Sequence, residues 1–151
     1  MKGEMSMSRK SLRNISCILI IALALSSASV ITVGAVPASD YIFTYNAGIS
    51  KTGVSNIKIA FEICGTRTMD DIGATAIYLY ESSSSGWKLV QSFVHTQSAY
   101  SHIMDYDTFS HSASVTYAGT SGKQYYATVY LWAGRNGGGD SRSITTTAVT
   151  A

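Results

Sequence analysis

From residue 41 onward apolar side chains recur at every second position, the spacing of strands that bury one face. The sharpest case is residues 56–64, where Ile57, Ile59, Phe61 and Ile63 alternate with Lys58, Ala60 and Glu62. The most apolar case runs from Gly122 to Gly134. There Tyr125, Ala127, Val129, Leu131 and Ala133 share one face, and Tyr126, Thr128, Tyr130 and Trp132 share the other. A segment so apolar on both faces is predicted to be a central strand. Shorter alternating runs predict strands at 41–46, 72–81, 87–96, 112–118 and 142–150.

Turn-forming stretches separate these runs. Four serines and a glycine at 82–86 predict a hairpin; a register with Glu81 opposite Lys88 would place a cross-strand ion pair there. Gly-Thr-Ser-Gly at 119–122 predicts a turn into the central strand, and 134–140 reads as a flexible glycine-rich loop. Residues 65–71 read as a polar connection, and 97–109 form the least regular part. Nothing after residue 40 shows the three- and four-residue spacing of an amphipathic helix. The expected fold is therefore all-β: an immunoglobulin-like antiparallel β-sandwich of about seven strands.

The first 38 residues obey a different pattern. Lys2, Arg9, Lys10 and Arg13 precede an uncharged apolar run over 15–25, and small residues follow it. That order predicts a signal peptide, an N-terminal signal helix cleaved after Ala35 or Ala38, with one β-domain over 39–151. The rival expectation is an uncleaved anchor, since 15–36 is long enough to span a bilayer. Either way the protein is expected to be exported, secreted or held at the cell envelope, and to meet membrane only through that segment. The leader also takes the excess positive charge. Of eleven basic and nine acidic residues it holds four and one, so the rest of the chain carries seven against eight. No basic run is left for a phosphate backbone, and nucleic acid is not an expected partner. Cys64 alone remains after the leader is removed, and is read as a small buried residue on a strand, with no partner for an internal disulfide.

Gly122-Lys-Gln-Tyr125-Tyr-Ala127-Thr-Val129 resembles the opening of the sixth strand in immunoglobulin-like and fibronectin type III domains. The resemblance implies that the Tyr125 hydroxyl bonds back to the preceding turn and that Ala127 points inward. A tryptophan on the third strand and an inter-sheet cysteine pair are missing, so an antibody-type domain is not implied. The match bears on architecture and carries no activity. As a whole the chain resembles short secreted β-sandwich proteins of Gram-positive bacteria, a likeness that brings no functional residues with it.

Four groups of residues suggest chemistry. Should segments 72–81 and 124–134 lie side by side, Tyr78, Tyr80, Tyr126, Tyr130 and Trp132 share an outer face, a platform suited to a glycan or an envelope or protein partner. His95, His102 and His111 flank Asp105 and Asp107, and the group His102, Asp105, Asp107 and His111 offers zinc-type ligands or an enzyme site, though in no closed metal motif. No Gly-x-Ser-x-Gly elbow occurs, and nothing positions Glu62 and Glu81 as a hydrolytic pair. Lys58 lies near Glu62 as in sandwiches crosslinked through an amide bond, but the last predicted strand has no asparagine. The balance favours a non-catalytic binding module without metal or cofactor. A secreted enzyme or metal-binding protein, and a secreted antagonist of other cells, stand as alternatives.

Overall fold

The computed structural model describes residues 39–151; the leader, its helix and its cleavage sites lie outside the described residues. The described chain is all-β, a single curled antiparallel sheet of seven strands. In chain order these are β1 (Ile42–Thr52), β2 (Asn56–Ser83), β3 (Gly86–Val94), β4 (Met104–Ala118), β5 (Gln124–Arg135), β6 (Gly138–Thr145) and β7 (Val149–Thr150). A short 3-10 helix, Ser98–Ile103, joins β3 to β4. No helix among the described residues is long and apolar enough to cross a membrane.

The sheet is organised by β2. Its first half pairs with β1 on one edge and β4 on the other, with Ile59 opposite both Ile49 and Val115. Its second half pairs with β5 and β3, with Ile77 opposite both Val129 and Phe93. The two halves overlap at residues 71–73, where β4 and β5 flank β2 together. It follows that β1 and β5 succeed one another along one edge of β2, and β4 and β3 along the other. The strand changes phase twice, with a register shift against β4 between Cys64 and Met69 and another against β5 between Ala74 and Ala76. Such irregularities bend a strand and sharpen its twist. The result brings β1 into contact with β5, β6 and β7, closing the curl over one interior.

Alternation survives the bend. Ile57, Ile59, Phe61 and Ile63 from the first half of β2 meet Ile77 and Leu79 from the second. Ala127, Val129, Leu131 and Ala133 of β5 fill the space between, all fully buried. Phe93, Val115, Ile103 and Met69 complete the core. Cys64 is also buried, and it is disulfide-bonded, which corrects the expectation that it lacks a disulfide partner.

Four expectations about the strands and loops need correction. The last predicted strand, 142–150, divides into β6, which begins at Gly138, and the two-residue β7. Segments 56–64 and 72–81 are not separate strands, because the polar stretch 65–71 stays extended and belongs to β2. Thr66, Arg67, Thr68 and Asp70 are exposed there on a bend, so polarity marks the outside of a strand instead of its end. The glycine-rich loop at 134–140 is a two-residue hairpin turn. Asn136 and Gly137 take φ of 52° and 75°, the left-handed pair that a type I′ turn needs. The irregular 97–109 region holds the 3-10 helix and then the first residues of β4. The predicted pairing of segments 72–81 and 124–134 is present, and so is Glu81 opposite Lys88.

The Tyr125 corner is also present. The Thr120 N–H donates to the Tyr125 hydroxyl at 2.8 Å, and that hydroxyl donates in turn to the Glu81 carboxylate. Glu81 is thus held by Tyr125, across the sheet from Lys88. Burial pushes the Tyr125 hydroxyl above its ordinary range, and the bond to Glu81 adds to the effect.

Gly73 stands where β4, β2 and β5 run abreast, opposite Met104 and Trp132. Its φ is 154°, and a Cβ there would press on the Ile103 carbonyl oxygen and lie 2.8 Å from Met104 Cα. Gly73→Ala is expected to destabilise by about 2 kcal/mol or more in urea unfolding, since backbone atoms must move to admit the methyl group. Gly48→Ala, where nothing lies within 4 Å, is expected to be tolerated. Tyr125→Phe is expected to cost about 1–3 kcal/mol at neutral pH by leaving buried partners unmet. Because the fold favours the neutral phenol, that stabilisation holds below about pH 10 and is lost as pH rises beyond it. The gap between wild type and Tyr125→Phe should therefore narrow in alkaline unfolding titrations.

Candidate functional site

The outward residues of β5 and its neighbours form a grid. Tyr126 lies opposite Tyr80, Thr128 opposite Tyr78, and Tyr130 opposite Ala76, because β5 and β2 pair without interruption from Ala76 to Glu81. On the other side of β5, Trp132, Tyr130 and Thr128 face Ser141, Ser143 and Thr145 of β6. On the far edge of β2, Tyr78, Tyr80 and Ser82 face Ser92, Leu89 and Trp87 of β3. None of these paired outward positions carries a formal charge.

The rings are in contact. Tyr80 and Tyr126 stack at 4.8 Å between centroids with planes 11° apart, and Trp87 meets Tyr126 edge-on at 4.8 Å. Tyr78 and Tyr130 form an edge-to-face pair at 5.6 Å. Such pairs contribute about 0.5–1.5 kcal/mol each beyond their burial and fix the rings relative to one another. Trp132 is anchored separately. Its indole N–H donates to Asp71 Oδ2 at 2.9 Å, and the ring lies over Gly139, where a Cβ would collide with it. Tyr130 is 42% exposed and Trp87 46%, while the other rings are half-buried. All five ring residues singled out in the sequence thus fall on this one surface. Trp87, with Leu89, extends it and was missed. The signal was available, since a hairpin that sets Glu81 opposite Lys88 also sets Ser82 opposite Trp87, on the face of Tyr80.

The histidine and carboxylate group is only partly assembled. His111 Nδ1 lies 3.6 Å from Asp105 Oδ2, while its Nε2 donates to the His102 carbonyl at 2.9 Å. His102 Nε2 is turned to the Ser114 carbonyl at 3.2 Å. Asp107 is exposed at a φ of 53°, and His95 sits apart with Nδ1 on the Thr75 carbonyl at 3.1 Å. Both clustered imidazoles spend a ring nitrogen on backbone oxygen, and the phenyl ring of Phe61 packs edge-on against His111. Among the described residues no three His, Cys, Asp or Glu side chains converge as a metal site would require.

Two further candidates are separated by the fold. Glu62 lies between Asn46 and Ser112 in the first half of β2, and burial raises its carboxyl above the usual range. Glu81 is held by Tyr125 in the second half, so the two do not face a common substrate. Lys58 pairs with Ser50 of β1 and Thr116 of β4, and is not hydrogen-bonded in register with β6 or β7. Asp140 is held below the ordinary carboxylate range by a hydrogen bond with Ser39 and then by Arg142, and serves the rim where the chain start meets β6.

Asp71→Ala is expected to cost about 1–3 kcal/mol in urea unfolding, since it removes a charged acceptor from the indole. Trp132 emission is expected to shift in the folded variant. No protein-family model matches the sequence, and no curated protein matches it.

Proposed function

We propose that the chain is an exported, non-catalytic binding module of the cell envelope, layered as a β-sandwich, with the face of Tyr78, Tyr80, Tyr126, Tyr130 and Trp132 as its contact surface. The observation that carries the reading is the concentration of these rings, joined by Trp87, on one sheet face with two of them more than 40% exposed. Interaction surfaces favour rings that combine a wide apolar body with a polar tip. Support for the layered description comes from the bend of β2 and the contact of β1 with β5 to β7. Its immunoglobulin-like part rests on the Tyr125 corner. Export rests on the basic, apolar and small-residue order of the leader.

The test is retention by isolated cell envelopes. Protein recovered from an exporting host is expected to sediment with envelopes, and Tyr130→Ala and Trp87→Ala to remain in the supernatant while still unfolding cooperatively, with midpoints lowered only by the loss of one ring pair. Equal retention of both variants would remove this face from the reading.

A further inference from the structure

We propose that this face takes an uncharged polysaccharide chain, laid along β5; the inference rests on the binding-module reading and specifies its ligand. Electrostatics narrows the choice first. Asp71, the carboxylate beside Trp132, is bonded to the indole N–H and would repel an anion. The outward positions from Tyr126 to Trp132 and their cross-strand partners carry no formal charge, so a charged ligand would give up hydration along the rings without finding a counter-charge. Phosphate-rich polymers and charged peptides are disfavoured on that ground.

The chemistry of the remaining groups points to sugar. A pyranose offers an apolar C–H face and a rim of hydroxyls. The rings supply apolar area, and Ser141, Ser143 and Thr145 run beside them as a line of hydroxyls that donate and accept. Thr128 and Thr145 already bond across the strands at 3.1 Å, so part of this line is held in place. Position matters as well as composition. From Trp132 to Tyr126 the surface extends about 20 Å along β5, longer than one sugar ring and suited to several in a row. The ring pairs are fixed on a sheet by their own contacts, which lowers the ordering cost on binding.

The experiment is isothermal titration of the exported protein with cellohexaose and chitohexaose, with a hyaluronan hexasaccharide as charged comparator and sedimentation velocity alongside. The expected result is binding of at least one neutral hexasaccharide, insensitive to salt, weakened about tenfold or more by Tyr130→Ala and by Trp87→Ala. Tighter, salt-dependent binding of hyaluronan would overturn the proposal. So would neutral binding untouched by both variants, or self-association that Tyr130→Ala abolishes, which would assign the face to a second copy of the chain. If neither neutral saccharide binds while envelope retention still depends on Tyr130, the glycan assignment fails and the binding-module reading stands.

Discussion

Everything in this fold depends on the length of β2. Twenty-eight residues in extended conformation would reach about 90 Å if straight, whereas a domain of about 110 residues has a radius of gyration near 13 Å. The strand cannot stay straight inside a compact body. It bends where the phase slips between Cys64 and Met69, and again around Gly73 and the extra residue Thr75. Each bend is local, so the ladder on either side remains intact. One strand thereby gives a hydrogen-bonded edge to β1, β3, β4 and β5, and the sheet curls because its spine does.

That arrangement leaves β5 to be fixed against the second half of β2, and acidic side chains of β2 do this at both ends. Near one end Glu81 accepts the Tyr125 hydroxyl, which also receives the Thr120 N–H from the preceding turn. Near the other, Asp71 accepts the Trp132 indole N–H, and Asp70 accepts the Asn136 N–H of the β5–β6 turn at 2.7 Å. A one-residue slip of β5 would break these bonds and would also turn Val129 and Leu131 outward. Register and hydrogen bonding therefore enforce the same pairing, and the placement of the outer rings follows from it.

Alternation made the strands legible in the sequence wherever one face is buried, as at 56–64 and 124–134, and the inward and outward sets of β5 could be assigned by parity alone. The turn chemistry is legible too, though unevenly. Ser82 to Gly86 reads as a hairpin, whereas Asn136-Gly137, the stronger signal, is hidden inside a run of glycines. The continuity of β2 was hidden because residues 65–71 are polar, and polarity on a bend that faces water looks the same as polarity in a loop. The histidine group looked promising because its members are close in sequence. Distance along the chain says nothing of ring direction, and backbone carbonyls had already claimed the nitrogens.

The outer face of β5 and β2 is not something the curl requires. A solvated sheet face can be built from threonine, serine and lysine, which favour solubility and discourage association. The other half of β2 does this, with Lys58, Ala60 and Glu62 between Ser50, Gly48 and Asn46 on one side and Thr116, Ser114 and Ser112 on the other. The same strand thus carries charged or small outward residues in one half and large rings in the other, under the same backbone constraints. Ring pairing recovers part of the cost of leaving Tyr130 and Trp87 in water, but β-branched residues would satisfy the sheet as well. Folding accounts for the inward residues of both halves; the difference between their outward faces calls for a cause outside the fold, and contact with another molecule is such a cause.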